Sequence, residues 1–180
     1  MHRKKLVILL SLFLLTSLAA AQVPKGNIFF GYSYVTADLN INDRSNLNGW
    51  EGSLEGKVLP FVGIVADFSG HYGSNNFPSS TTIISVDGRE HNFMFGPRVS
   101  APIGKFRPFV HALLGAGHVS VSAPGFSASD TSLATAIGGG LDYHLAPALA
   151  WRFQGDYLQT RFFGNTQNNA RLSTGIVLNF

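Results

Sequence analysis

The chain has 180 residues, no cysteine, 13 lysines and arginines, and ten aspartates and glutamates. That length suits one domain, and the missing cysteines exclude a disulfide framework and thiolate metal sites. Arg3, Lys4 and Lys5 account for the basic excess; without them bases and acids balance, and the electrostatic footprint of a nucleic-acid-binding protein disappears.

The three N-terminal bases lead into an uncharged run, Leu6 to Leu18. It falls short of the roughly 20 apolar residues a membrane-spanning helix needs. With Ala19-Ala20-Ala21 behind it, it predicts a cleavable signal peptide over 1–21, cut after Ala21. The mature domain is then 22–180. It begins at Gln22, so no lipoprotein anchor is expected.

The rest of the chain is rich in Gly, Phe, Tyr, Ser and Asn, and no later segment reads as a transmembrane helix. Alternation is the dominant signal. Ile28, Phe30, Tyr32 and Tyr34 alternate with Gly31 and Ser33; Trp50, Leu54 and Val58 alternate with Glu51, Ser53, Glu55 and Lys57. Val62, Ile64, Ala66, Phe68 and Tyr72 oppose Gly63, Asp67, Ser69 and His71, and Phe93, Phe95, Pro97 and Val99 oppose Asn92, Met94, Gly96 and Arg98. Within 107–121 the phase is ambiguous: Phe109, His111 and Leu113 compete with Val110, Ala112 and Leu114. Leu133, Ile137, Leu141 and Tyr143 face small residues and Asp142. Leu149, Trp151, Phe153, Gly155 and Tyr157 alternate with Arg152, Gln154 and Asp156; Leu172, Thr174, Ile176, Leu178 and Phe180 with Arg171, Ser173, Gly175, Val177 and Asn179.

These patterns predict eight strands over 27–37, 47–58, 61–73, 87–100, 107–121, 131–144, 149–161 and 170–180. Most have the roughly 9 to 11 residues of a tilted membrane-crossing strand. Short turns at 59–60, 101–106 and 145–148 alternate with longer polar loops at 38–46, 74–86, 122–130 and 162–169. Asp87-Gly88 reads as a turn or bulge, and Gly138-Gly139-Gly140, without a following helix, as close packing or a bend rather than a phosphate loop.

A soluble sandwich or lipocalin-like barrel also alternates, so the question is which face points inward. Glu51, Glu55, Lys57, Asp67, Arg98, Arg152, Asp156 and Arg171 share the polar face, their signs mixed and their neighbours often Gly or Ser. That suits the cramped interior of an eight-stranded barrel, which side chains fill. The opposite face is aromatic and aliphatic, as lipid requires. The pattern therefore predicts an all-β chain: an eight-stranded antiparallel up-and-down transmembrane β-barrel. The shared charges read as a structural network, because an unpaired interior charge costs several kcal/mol; the alternative is a selectivity ring in a narrow pore.

The last eight residues resemble the β-signal read by the outer-membrane assembly machinery, with Ser173, Gly175, Leu178 and Phe180 in its four places. From Asn27 to Phe180 the pattern is similar to the small eight-stranded bacterial outer-membrane barrels typified by the transmembrane domain of outer membrane protein A. Phe95-Gly96-Pro97-Arg98 and Arg107-Pro108-Phe109-Val110 look like mid-barrel strands of those families. The resemblance implies an outer-membrane location, contact with outer-membrane lipid and lipopolysaccharide, and handling by the assembly machinery and periplasmic chaperones. It implies no cofactor. Because the sequence stops at Phe180, the peptidoglycan-binding domain of longer members is not expected.

His118-Val119-Ser120 places a histidine and a serine on one face, as outer-membrane lipid A deacylases do. The downstream Asn of those enzymes is replaced by Val121, and the orienting acid is reduced to a guess at Asp130. Two polar residues nearing an outer loop explain the pair without chemistry, and the six histidines lack metal-ligand spacing. The sequence thus points to a non-catalytic outer-membrane barrel with a structural or surface-interaction role, its loops the parts expected to meet partners.

Overall fold

The computed structural model describes residues 25–38, 44–78 and 83–180, so the predicted signal segment 1–21 lies outside the described residues. Eight strands run β1 Gly26–Asp38, β2 Arg44–Lys57, β3 Val62–Pro78, β4 Ile83–Ser100, β5 Phe106–Ala123, β6 Phe126–Ala146, β7 Leu149–Thr160 and β8 Gln167–Asn179. Each pairs antiparallel with its chain neighbours, and β8 pairs back onto β1, closing the barrel. Closure satisfies every interior backbone ladder without an edge in the lipid zone, the condition for crossing a membrane with strands.

The faces fall as the alternation requires. Phe30, Leu54, Phe95, Ile137, Phe153 and Leu172 point outward and are exposed, whereas Glu51, Asp67, Arg98, Arg152 and Arg171 point inward and are buried. Several outward aromatics bond their polar tips to a neighbouring strand: Trp151 Nε1 donates to Thr174 Oγ1 (2.8 Å) and the Tyr157 hydroxyl to Asn168 Oδ1 (2.7 Å). An amphipathic ring held in this way suits a membrane interface.

β5 resolves its ambiguity with Phe109, His111 and Leu113 inside and Val110 and Leu114 outside. Apolar residues stand on both its faces, which is why hydropathy alone did not give the phase.

Three expectations need correction. The segments 74–86 and 122–130 are largely strand, not loop. β5 and β6 meet at a two-residue Pro124-Gly125 turn, with Gly125 at φ 80°, and β3 and β4 stay paired up to Pro78↔Ile83. Asp87-Gly88 is neither turn nor bulge: Gly88 pairs with Gly73 inside the ladder, and Ser74 Oγ donates to Asp87 Oδ1 at 2.6 Å. Cross-strand pairing has overridden a local turn preference. The glycine triplet does mark close packing, since a Cβ on Gly138 would stand 2.0 Å from Asp156 Oδ1.

Strand lengths are uneven. β3 to β6 have 17, 18, 18 and 21 residues, while β1, β2, β7 and β8 have 13, 14, 12 and 13. At the end opposite the chain termini, β3 to β6 therefore rise above the rest as a four-stranded wall.

Candidate functional site

The interior charges form two linked clusters. Arg171 is the hub of the first. Its Nη1 lies 2.9 Å from Asp67 Oδ1, its Nη2 2.6 Å from Asp156 Oδ2 and its Nε 3.5 Å from Glu51 Oε2, bringing acids from β2, β3 and β7 onto one guanidinium of β8. Gln154 Nε2 donates to Glu51 Oε1 (2.7 Å), and Ser173 Oγ to Glu51 Oε2 (2.5 Å). A guanidinium presents five donors in a fixed fork, so it can bind three acids where a lysine would hold them less firmly.

Nearer the terminus-bearing end, Arg152 clamps Asp142 with two bonds, Nε to Oδ1 at 2.7 Å and Nη2 to Oδ2 at 3.0 Å, and Arg107 Nε lies 3.5 Å from Asp142 Oδ2. Arg98 Nη1 meets Glu55 Oε2 at 3.2 Å, and Glu55 also takes Lys57 Nζ at 2.6 Å and Asn27 Nδ2 at 2.8 Å. The guanidinium carbons of Arg98 and Arg152 lie 4.4 and 4.6 Å from the Phe109 ring centroid, and Arg152 also covers Phe29 at 4.9 Å. Weakly hydrated guanidinium groups stack on ring faces with little desolvation cost, so the aromatics help to house two neighbouring cations.

His111 joins the clusters. Arg98 Nη2 donates to its Nδ1 (3.1 Å), and its Nε2 lies 2.8 Å from Asp156 Oδ1. Arginine has no acceptor, so Nδ1 must accept and Nε2 must carry the proton. A continuous chain of donors and acceptors therefore runs Arg98, His111, Asp156, Arg171.

Beside the charges the filling is mixed. Val65, Met94, Leu113, Ala134, Ala136 and Leu158 make one buried apolar cluster, Ser69, His71, Glu90 and Asn92 are buried further up β3 and β4, and Phe162, in the one-turn 3-10 segment Phe162–Gly164 between β7 and β8, is buried against the position where a Gly117 side chain would stand. Phe163 takes a left-handed φ of 52°, held by Asp130, whose Oδ2 accepts its N–H at 2.5 Å.

All eight charged residues singled out from the sequence, Glu51, Glu55, Lys57, Asp67, Arg98, Arg152, Asp156 and Arg171, therefore stand in these two clusters. Sequence reasoning missed His111, Arg107 and Phe109 as members, and placed Gln154 and Asp142 on the face opposite the apolar residues, Asp142 among small residues, without joining them to the charged set. For His111 and Phe109 the obstacle was the phase of β5. For Arg107 and Asp142 the signal was present, since they are opposite each other across β5 and β6, but strand register is needed to read it.

The histidine and serine arrangement is not assembled. His118 is on the outer face and bonds Thr131 Oγ1 (2.8 Å). Asp130 pairs in register with Val119, one residue out of phase with His118 and Ser120, so its carboxylate belongs to the other face of the sheet and serves the Thr131 and Phe163 amides. Among the described residues no three histidines or acids cluster in a way that would hold a metal.

The C-terminal pattern closes the barrel. Gly175 faces Gly31 across the β1/β8 seam, where a Cβ on Gly175 would stand 2.4 Å from the Gly31 Cα; the hydroxyls of Ser33 and Ser173 are hydrogen-bonded across it (3.0 Å), and Leu178 and Phe180 are exposed on the outer face.

An apolar outer face, a charged inner face and a closed even-stranded sheet describe one architecture, and the family profile of the outer membrane protein beta-barrel domain matches residues 6–180. The chain belongs to the outer membrane protein beta-barrel family. Membership sets the orientation: the terminus-bearing end with short turns is periplasmic, and the wall of β3 to β6 is extracellular. No curated protein sequence matches the chain. Among solved outer-membrane barrels it is similar to Ail, the attachment invasion locus protein of Yersinia pestis (20% identity, 87% of this chain and 100% of that one, TM-score 0.60). It is also similar to Neisserial surface protein A (12% identity, 86% and 97%, TM-score 0.65) and to OprG of Pseudomonas aeruginosa (12% identity, 88% and 97%, TM-score 0.56). At these identities the likeness is one of fold.

Proposed function

We propose that this outer-membrane barrel is a sealed scaffold with a structural or surface-interaction role, neither conducting nor catalytic. One observation carries the reading. Arg98, Arg152 and Arg171 have no exposed surface, and each is ion-paired inside the lumen to acids of other strands, while the apolar cluster, Phe162 and buried polar residues such as His71, Glu90 and Asn92 occupy the rest of the interior. A conducting lumen needs charged rings facing water, with ions free to enter and leave; here the charges face one another. The separation of Asp130 from His118 and Ser120 by the thickness of the sheet favours the non-catalytic reading.

Export through the 1–21 signal, recognition of Ser173, Gly175, Leu178 and Phe180 by the assembly machinery and periplasmic chaperones, and contact of the aromatic belt with lipid and lipopolysaccharide complete the proposal. The extracellular wall and loops are the surfaces left for partners. Planar-bilayer recording of the purified folded protein tests it: a silent membrane is expected. Conductance steps that vanish in Arg98→Gln or Arg152→Gln establish a narrow pore instead, and deacylation of lipid A that is lost in Ser120→Ala establishes a hydrolase.

A further inference from the structure

The extracellular half of the lumen holds an acid that no base neutralises. Glu51, Glu55, Asp67, Asp142 and Asp156 are each bridged to one or more of Lys57, Arg98, Arg107, Arg152 and Arg171, five acids to five bases, so the two clusters balance before Glu90 is counted. Glu90, on the inner face of β4, is 3% exposed, and among the described residues no base lies within ion-pair distance of it. Its bond is to Asn92, whose Nδ2 donates to Glu90 Oε1 at 2.9 Å. The groups that face it supply no cation. His71, opposite it in the β3/β4 register, is tied through Nε2 to Ser33 Oγ at 2.8 Å, and its buried Nδ1 has no hydrogen-bond partner, so a second proton on the ring would find no acceptor. Val119 stands opposite on β5; Asp130, beyond it on β6, is another acid; and Arg171, on β8, is engaged by Asp67, Asp156 and Glu51. An ionised carboxylate buried without a base is far more costly than the neutral acid, which one hydrogen bond can satisfy.

Beside this acid stands the segment that stops the mouth. A Cβ built on Gly117 would lie 2.6 Å from Asn92 Oδ1 and 2.9 Å from Phe162 Cζ, so the Asn92 amide and the buried Phe162 ring meet over one glycine. The segment is held at few points. Phe163 N–H donates to Asp130 Oδ2 (2.5 Å) and Arg161 N–H to Ser132 Oγ (3.2 Å), while Phe163 itself sits at a φ of 52°, a conformation a non-glycine residue adopts only at a cost. Water seeking Glu90 from outside would enter past Phe162.

We propose that Glu90 holds a proton at neutral pH and that its loss in alkaline solution unseats Phe162, letting water into the extracellular end of the lumen. This rests on the sealed-scaffold reading and gives the seal a condition. The ionised carboxylate must be hydrated, and the strained, lightly tied Phe162 segment is the part that yields. Below it the Arg171 hub keeps its three acids, so wetting stops there and no pore forms.

The chain has no cysteine, so Ser69→Cys, a buried position opposite Asn92 in the β3/β4 register, reports the arrival of water by its reaction with a small cationic thiol reagent. The folded protein is used in lipid nanodiscs. Because the thiolate fraction itself rises with pH, the reference is the same cysteine combined with Glu90→Gln, which fixes a neutral group at the site. From about pH 6 to about pH 9 the labelling rate is expected to climb at least tenfold more with Glu90 present than in Glu90→Gln. Adding Phe162→Ala is expected to make labelling fast at every pH. A second measurement needs no cysteine: at neutral pH the infrared difference between wild type and Glu90→Gln is expected to contain the carbonyl band of a neutral carboxylic acid. Mobility of heated and unheated samples on a gel reports folding, and Glu90→Gln, which preserves the neutral shape, is expected to fold like the wild type. Its failure to fold, a carboxylate signature at neutral pH, or an equal climb in labelling with and without Glu90 each overturns the proposal. Fast labelling at neutral pH with Phe162 in place is a different result: the lumen is then already wet, and the sealed-scaffold reading falls together with this one.

Discussion

The two faces of β7 obey different rules. Inside, Arg152, Gln154 and Asp156 each meet named partners within 3.4 Å on other strands; outside, Trp151, Phe153 and Tyr157 meet the membrane, with the polar tips of the ring systems tied to β8. A lumen side chain is specified by geometry, because a charge there has nowhere to go but its partner. A lipid-facing side chain is specified mainly by polarity, because one apolar contact with acyl chains is much like another. The barrel is rigidly encoded on one surface and loosely on the other.

That contrast predicts a graded series, read as unfolding free energy in lipid vesicles by urea titration. The largest loss is expected for Arg171→Ala, which strands Asp67, Asp156 and Glu51 around an empty centre and should cost about 3–5 kcal/mol. Phe153→Arg, which puts a cation on the lipid face near mid-strand, should follow at about 2–4 kcal/mol. Gly138→Ala drives a methyl toward Asp156 and should cost about 1–3 kcal/mol by overpacking, while the equally small change Gly155→Ala, where a new Cβ meets only Leu172 at 3.5 Å on the lipid face, should cost less. At the bottom, Ile137→Leu on the exposed outer face should change stability by less than about 0.5 kcal/mol. Equal costs for the two glycine variants would break the distinction between the faces.

The same contrast explains what could be read in the sequence. Eight strands, their phases outside β5 and the eight lumen charges were legible because one side of each strand must suit lipid and the other must not. The stretch 122–130, the top of β5 and the start of β6, reads as loop in the sequence. Ser127-Ala128-Ser129-Asp130 stands above the membrane with water on both sides, so no apolar face exists to betray a strand; it is ordered by backbone pairing, which leaves no hydropathy signal. β5 hid its phase because Phe109 and Leu113 serve the interior as a stacking surface and as part of the apolar filling, roles that look the same as lipid contact in a one-dimensional pattern. The Arg171 hub was only half legible: its charges were, but the choice of Asp67, Asp156 and Glu51 as partners depends on register.

The seam between β1 and β8 sets a schedule. Ser33 and Ser173 are bonded across it, yet stand 140 residues apart in the chain. Contacts so distant in sequence form late, since the whole intervening loop must be closed before they return any free energy. The eighth strand is thus the partner of the first strand of the barrel, and until it arrives both carry open edges through the hydrocarbon zone. A nascent barrel of this design is unfit for the membrane until its eighth strand is in place, so closure at the Gly31 and Gly175 pair doubles as a check that the barrel is whole.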